Sequence, residues 1–310
     1  MNEIITQIVV MSLLMGVGVL CAKTGIINDE RSKGLSEIAM KISTPAVIVA
    51  SFQRVYTPEN ARGLFYSFLL ALVCIFIAGA VGYILVRRRD RDKDKQIIER
   101  FSVIYSNCAF IGIPLVNGVY GEEGIFYLTA FFALFNLFVW SHGVIMMKGE
   151  KSLKSLLHAL KAPAFISVFV GLALFLLQID LPYIIDSSLQ FVGGLVTPIG
   201  MMVAGATIAK TKLVKGRVTL RIHFLVLLRL IVTPVITILV FALFPYDEMQ
   251  MGVCLIAAAC PSATICTMFA VAYCKDSVYS AQIFAISTIW SMVTLPLMMN
   301  LFLVFNIWIR

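Results

Sequence analysis

Long apolar runs alternate with short polar segments along the whole of this sequence. A helix that crosses the hydrocarbon core of a bilayer needs about 20 mostly apolar residues. The second run is the weakest, because Glu37 and Lys41 interrupt it. On this criterion the pattern predicts ten transmembrane helices, at residues 4–22, 35–52, 64–86, 101–120, 125–147, 163–179, 185–209, 222–244, 252–273 and 278–309.

Basic residues are concentrated in every second segment between the predicted helices. The odd-numbered loops hold 20 of the 25 Lys and Arg residues, whereas the even-numbered loops hold only Arg54 and Arg62. Lys and Arg accumulate on the cytoplasmic side of membrane proteins. We therefore expect a multi-pass protein of the cell membrane (plasma or inner) with both termini on the extracytoplasmic side. Nine or eleven helices would break this alternation.

Prolines recur at matching places in the two halves of the chain. Pro45 and Pro198 each follow a threonine in the second and seventh predicted helices. Pro114 and Pro261 lie mid-membrane in the fourth and ninth, within runs of small and polar residues. A single proline commonly does no more than kink a membrane helix. A matched pair in an inverted repeat, however, is typical of the binding site of a secondary transporter.

We expect an all-α membrane protein with ten transmembrane helices, arranged as two inverted five-helix repeats. The first repeat covers residues 1–150 and the second residues 151–310. The second half begins on the opposite side of the membrane, because each half contains five predicted helices. Proline removes a backbone donor and clashes with the preceding turn, so helices four and nine should be broken and should cross. The residues that we expect to act as hinges or at the crossover are Pro45, Pro198, Pro114 and Pro261.

The composition excludes several classes of protein. Hydrophobic residues make up 60% of the chain and charged residues 14%, which leaves too little polar surface for a soluble enzyme, a nucleic-acid-binding protein or a disordered chain. The seven cysteines lie in or beside apolar runs without paired spacing, so we interpret them as small hydrophobic residues. We expect no metal site, no cofactor and no nucleic-acid partner.

The broken helices offer a neutral site for an anion. Where a helix breaks and resumes, its new N-terminus presents unpaired N–H groups and a partial positive charge, which suit a carboxylate. Neutral polar side chains lie beside both breaks. The predicted substrate-binding residues near the breaks are Asn107, Cys108, Gly112, Pro114, Pro261, Ser262 and Thr264.

Arg229 is the eighth candidate binding residue and lies well inside the eighth predicted helix. An intramembrane cation is costly and is a functional candidate by default, although it can also snorkel to the interface or bind carbonyls of a broken helix. The acidic residues are expected in loops or at helix ends, apart from Glu37. Positive charge without a buried acid predicts an anionic cargo. His142, at the end of the fifth helix, is interpreted as an interfacial group.

These motifs resemble the auxin efflux carrier family, which includes the plant PIN carriers and bacterial permeases for malate and related acids. The family belongs to the bile acid/auxin/arsenite transporter superfamily. Similar residues run through the chain in the same order. They are Pro45, Asn107 with 112–115 and 120–121 in the fourth helix, Arg229 with Pro234 in the eighth, and Leu295 with Pro296 in the tenth.

The resemblance implies a ten-helix fold with crossed helices four and nine and an elevator-like movement. Helices one, two, six and seven would form a scaffold and the surface of a homodimer, and helices three to five and eight to ten would carry the cargo. The plant carriers have Asn-Pro-Asn where this chain has Ala162-Pro163-Ala164. This departure favours an acid other than auxin.

The function predicted from the sequence is secondary active or facilitated transport of a small organic anion, a carboxylate such as malate or an auxin-like acid, by alternating access. Because no carboxylate is embedded in the membrane, we expect electrogenic anion movement or co-transport of a proton carried on the cargo. A sodium site built from Asn, Ser, Thr and backbone carbonyls stays open as an alternative. An intramembrane enzyme would need a catalytic constellation in the membrane, and three scattered histidines with loop-bound acids do not supply one, so no catalytic residue is expected. A membrane sensor or assembly component would usually carry a longer soluble loop.

Overall fold

The computed structural model describes residues 2–87, 92–149, 161–211, 219–243 and 247–309, in which all regular secondary structure is helical. Four π turns, Ala39–Ser43, Cys108–Gly112, Val139–Gly143 and Leu228–Val232, join or precede helices. The helices are α1 Asn2–Lys23, α2 Asp29–Ile38, α3 Thr44–Ser51, α4 Pro58–Leu85, α5 Lys93–Ile104, α6 Ile113–Phe138, α7 Val144–Lys148, α8 Pro163–Leu177, α9 Tyr183–Gly194, α10 Val196–Lys210, α11 Leu220–Leu227, α12 Thr233–Phe241, α13 Glu248–Ala259, α14 Ile265–Ala272 and α15 Ser277–Ile309.

Several helical segments are long and apolar enough to cross a membrane. Within the described ranges there are six, and α8 and α13 are shorter apolar helices. The six are Ile4–Lys23, Pro58–Leu85, Cys108–Lys148, Tyr183–Lys210, Leu220–Phe241 and Ser277–Phe305. The structure therefore agrees with the prediction of an all-helical, multi-pass membrane protein.

Three of the π turns have a proline at the second position after the turn. Pro45, Pro114 and Pro234 are each the second residue of the helix that begins after the turn. The wider turn accommodates a residue that lacks an N–H and would clash with the carbonyl four residues earlier. In two cases the preceding threonine adds a bond, because Thr44 Oγ1 and Thr233 Oγ1 each donate to the carbonyl five residues back, at 2.8 Å. At Thr44-Pro45 and Thr233-Pro234 the proline is thus accompanied by a local widening of the helix rather than its end.

Gly121 interrupts the longest apolar segment. Cys108–Lys148 contains 41 residues, which would be about 60 Å long if straight, twice the thickness of a hydrocarbon core. Gly121 has φ 62° and ψ −156°, which is not helical. Only glycine adopts this conformation readily, because it has no Cβ. The chain therefore changes direction at Gly121.

The helices pack in two sets. In the first set α1 packs on α10, and α3 packs against α8 and α9; in the second α4 packs on α5, α6 and α13. The contact between α1 and α10 is unusually close. A Cβ added to Gly18 would lie 2.1 Å from the carbonyl oxygen of Met202, and one added to Gly205 would lie 2.0 Å from that of Met15. Only glycine lets these two backbones approach so closely.

The fourth helical segment begins earlier than predicted. The sequence pattern placed its start at residue 101, whereas α5 begins at Lys93, with the side chain of Asp92 accepting a hydrogen bond from Lys95 N at 3.0 Å. As a consequence Glu99 is inside the helix and 0% exposed. Glu37 was expected to be the only acidic residue outside the loops and helix ends, and this expectation is wrong. The expected boundary between repeats, at 150 and 151, lies outside the described residues.

A candidate site at two adjacent helix breaks

Two interruptions of helical structure lie side by side. The first, residues 105–107, follows α5, and the second, residues 260–264, separates α13 from α14. Ser106 and Ser262 face each other in an antiparallel bridge. Asn107 N donates to the carbonyl of Pro261 at 2.7 Å, and Ala263 N donates to the carbonyl of Tyr105 at 3.0 Å. The structure thus brings together the two proline-containing stretches that were predicted to meet.

Ser262 is held in this junction by two further hydrogen bonds. Its Oγ donates to the carbonyl of Ser102 at 2.9 Å, and its backbone N donates to Ser287 Oγ at 3.2 Å. The side chain is 2% exposed. Ser262 is therefore engaged in joining α5, the second break and α15, and it would have to release the Ser102 carbonyl before donating to a ligand.

Asn107 and Thr264 present polar atoms that the protein leaves unsatisfied. Asn107 is 4% exposed, and its Nδ2 is buried without a hydrogen-bond partner among the described residues. The same holds for Thr264 Oγ1, at the start of α14. Leaving a buried donor unpaired costs about 1–3 kcal/mol, so such groups require an explanation. Both atoms can donate to a negatively charged oxygen.

The remaining predicted binding residues pack behind Asn107. Cys108 is fully buried at the start of the π turn Cys108–Gly112, and Pro114 follows it at the start of α6. A Cβ added to Gly112 would lie 3.4 Å from Cys108 Cβ and 3.5 Å from Cys260 Sγ. Gly112 therefore has ordinary packing and is not required by a close contact. Whether these residues touch a ligand stays a prediction.

Arg229 is bound entirely by the ends of the broken helices. Its Nε donates to the carbonyl of Cys260 at 3.0 Å, and its Nη2 donates to the carbonyl of Ala258. Its Nη1 donates to Val103 and Ile104 carbonyls at 3.0 and 3.4 Å. Arg229 is 1% exposed. This geometry supports a tie between the carbonyl ends of α5 and α13, and direct contact with a ligand stays a prediction.

A buried ion pair beside the junction was missed by the sequence analysis. Arg221 donates Nη2 to Glu99 at 2.7 Å and Nε to both carboxylate oxygens at 3.2 Å, and Tyr279 Oη donates to Glu99 at 2.8 Å. The pair joins α5, α11 and α15. The sequence did contain a signal for this pair: aspartate is a preferred N-cap residue, so a helix beginning after Asp92 would have included Glu99.

The predicted hinge prolines outside the junction lie at helix irregularities. Pro45 follows the π turn Ala39–Ser43, and Pro198 is the third residue of α10, just after Leu195 interrupts the helix. Neither position shows movement by itself, so the hinge role stays a prediction.

Two cavities lie between the two helix sets, at opposite ends of α10. The larger, of about 360 Å³, is lined by Thr207 and Lys210 at the end of α10 and by Thr267 and Ser277 from the second set. The smaller, of about 170 Å³, is near the start of α10 and includes Asn117 and Glu122 of α6. The boundary between the helix sets is thus open at both ends of α10.

Comparison with known proteins places the chain among transporters. A model of the family described as Membrane transport protein (Mem_trans) matches residues 3–299. An uncharacterized transporter from Methanothermobacter thermautotrophicus is 23% identical over 314 residues, which cover 96% of this chain and 96% of the relative. An uncharacterized transporter from Methanocaldococcus jannaschii is 26% identical over 301 residues, 94% of this chain and 96% of the relative. These matches confirm the family resemblance drawn from the sequence motifs.

Proposed function

This chain belongs to the membrane transport protein family, and we propose that it is a secondary transporter of a small organic anion. The cargo is a carboxylate such as malate or an auxin-like acid, and it moves by alternating access. Family membership favours transport over the enzyme and sensor functions that the sequence left as alternatives. The cargo, its site and the movement are inferred from the geometry of the junction.

The observation that carries this proposal is the unpaired Nδ2 of Asn107. It is buried at the point where α5 has ended and the next helical turn begins. Helix N-termini carry a partial positive charge, and Thr264 at the start of α14 supplies a second unpaired donor. A carboxylate in this position would accept hydrogen bonds from both. The site is neutral, so it is stable in the membrane when empty.

Several features support ten spans in two inverted repeats. The half-helices α5 and α13 each contain 12 residues and each end at a break. The two backbone hydrogen bonds between the breaks, from Asn107 N to Pro261 O and from Ala263 N to Tyr105 O, are equivalent. A twofold rotation about the Ser106–Ser262 bridge exchanges them. Gly121 divides Cys108–Lys148 into residues 108–120, which would complete the broken span begun by α5, and residues 122–148, which are long enough to cross the membrane by themselves. In this proposal the two repeats cover residues 1–150 and 151–310.

The two helix sets and their cavities support an elevator-type movement. In this proposal α1–α3 and α8–α10 form the scaffold and the surface of a homodimer, whereas α4–α7 and α11–α15 carry the cargo. Sliding one set along the other would open the cavity at one end of α10 and close the cavity at its other end. The protein lies in the cell membrane with both termini outside, and a proton or sodium ion accompanies the anion.

Transport by purified full-length protein in proteoliposomes tests the proposal. Uptake of radiolabelled mono- and dicarboxylates is measured for the wild type and for Asn107→Ala, Asn107→Asp and Asn300→Ala, the last being an exposed asparagine on α15. Losing a hydrogen bond to a charged group lowers affinity about tenfold or more, so Asn107→Ala should lose uptake at low substrate concentration. Asn107→Asp should lose more, because it adds a repelling carboxylate.

The control and the contradicting results are defined in advance. Asn300→Ala should transport like the wild type, and the Asn107 variants should unfold at temperatures close to that of the wild type. Wild-type rates of carboxylate uptake in both Asn107 variants would show that Asn107 is not part of the binding site. Absence of carboxylate uptake by the wild type, with or without sodium, would overturn the proposed cargo.

A further inference from the structure

His142 makes a short hydrogen bond through each of its ring nitrogens. It lies in the π turn Val139–Gly143, where the side chain is half-buried. Nε2 lies 2.7 Å from Tyr83 Oη, and Nδ1 lies 2.7 Å from Tyr105 Oη. The sequence suggested an interfacial group. A histidine held on both sides by tyrosine hydroxyls is instead part of a defined network.

The hydrogen-bond directions follow from the third member of this network. Tyr105 Oη also lies 2.9 Å from the carbonyl of Phe138, to which it donates its single proton. Tyr105 Oη must therefore accept a hydrogen bond from the protonated Nδ1 of His142. Nε2 of the neutral ring is then an acceptor for the hydroxyl of Tyr83. This assignment is inferred from the network, and it leaves Nε2 as the atom that can take up a proton.

The network connects an exposed side chain with the helix break. Tyr83, near the end of α4, is 44% exposed. Its Oη also lies 3.7 Å from Met146 Sδ, a weak acceptor. At the other end, Tyr105 is the first residue of the break, and its carbonyl accepts the Ala263 N–H. His142 thus lies between the surface and the junction that contains Asn107.

We propose that His142 is the group that binds the proton transported together with the anion. This inference rests on the proposed function, and it identifies the coupling ion. A proton that reaches Nε2 converts the ring to an imidazolium that donates from both nitrogens. The Tyr83 hydroxyl then turns its own proton towards Met146 Sδ and accepts from Nε2, so both 2.7 Å contacts survive. No covalent bond other than N–H forms or breaks.

The charges around His142 make its protonation depend on the cargo. Tyr83 faces it from α4, and Tyr105 faces it from the segment after α5. Arg100 lies over the Tyr83 ring, 5.0 Å from its centroid. This cation opposes a second positive charge on His142. An anion beside Asn107 offsets that repulsion, and by linkage a protonated His142 strengthens anion binding equally.

The pH dependence of uptake tests this coupling. Full-length wild type, His142→Gln, Tyr105→Phe and His223→Gln are compared in proteoliposomes, with anion uptake and internal acidification recorded together. His223 is the matched control, since its ring packs edge-on to Trp290 at 6.5 Å. Wild-type uptake should rise about fivefold as the pH falls from about 7.5 to 5.5, with proton entry. His223→Gln should do the same, whereas His142→Gln should show a flat profile without proton entry.

Each result is decisive. A wild-type pH profile and proton entry in His142→Gln would overturn the role of His142 and leave the proposed function intact. Absence of carboxylate uptake by the wild type at every pH would overturn both proposals together. If His142→Gln does not fold, Tyr105→Phe decides the question, because it keeps the ring and removes the Nδ1 partner. An unchanged pH profile in Tyr105→Phe would then count against the network.

Discussion

Arg229 and Cys260 are joined by a hydrogen bond from Nε to the backbone carbonyl at 3.0 Å. The same guanidinium binds the carbonyl of Val103 at 3.0 Å, so one cation serves the C-terminal ends of two half-helices. Each helix C-terminus carries the equivalent of roughly −0.5 charge. A single guanidinium therefore matches the sum of the two, which explains how Arg229 remains charged at 1% exposure.

Replacing Arg229 should lower both stability and transport. Arg229→Gln removes the cation and leaves most of the four carbonyls unpaired, at about 1–3 kcal/mol for each unsatisfied buried group. Arg229→Lys keeps the charge without the planar arrangement of donors, so we expect an intermediate effect. Thermal unfolding and uptake are measured, with exposed Arg62→Gln as the control. The structure excludes a side chain that snorkels to the interface, because Arg229 is 1% exposed. Wild-type stability and uptake in both Arg229 variants would contradict its role as the tie between α5 and α13.

Glu99 should contribute more to stability than an exposed acid with an equally short contact. Glu99→Gln weakens a pair in which the carboxylate is fully buried and Arg221 is partly exposed, and we expect a loss of about 1–3 kcal/mol in the free energy of unfolding. Asp94 provides the comparison, because its 2.6 Å contact with Lys275 is exposed, with Asp94 at 66%. Asp94→Asn should cost about 0–1 kcal/mol. Equal losses for the two substitutions would contradict the burial argument.

Gly18 and Gly205 should tolerate no side chain. An added methyl group would overlap the backbone of the facing helix at 2.1 and 2.0 Å, which forces α1 and α10 apart. Overpacking of this kind typically costs about 1–3 kcal/mol. Gly16→Ala is the control, since a Cβ there would meet nothing within 4 Å. The thermal unfolding temperature should fall for Gly18→Ala and Gly205→Ala, whereas Gly16→Ala should leave it unchanged or raise it, because alanine forms helix more readily than glycine. A fall for Gly16→Ala as well would contradict the overlap argument.

The break at Pro261 was predictable because its cause is local: proline disrupts helical hydrogen bonding, and helical structure is interrupted between α13 and α14. The first break, at residues 105–107, precedes the π turn before Pro114, so the proline indicated its neighbourhood and not its position. The apolar runs likewise predicted an all-helical, multi-pass membrane protein, since length and hydropathy are local properties, and six segments of the described residues are long and apolar enough to cross a membrane.

The features that were missed depend on contacts between distant parts of the chain. Glu99 lies in a stretch with enough charge to appear as a loop, and its burial depends on Arg221, 122 residues away. The sequence left binding to carbonyls of a broken helix as one alternative for Arg229, but it could not identify those carbonyls as the ones at the ends of α5 and α13. His142 was interpreted as interfacial because nothing in its sequence neighbourhood indicates Tyr83, 59 residues earlier.

The shared guanidinium has a consequence for biogenesis. The carbonyl of Ile104 leaves the ribosome 125 residues before the Arg229 side chain that satisfies it. Until Arg229 is synthesised, the carbonyl groups at the end of α5 lie in the translocon or the surrounding lipid without this partner. An unpaired carbonyl is costly there. The junction can therefore close only after residue 260 has entered the membrane. A polypeptide truncated before Arg229 should be a substrate for membrane quality-control proteases rather than a stable half-transporter.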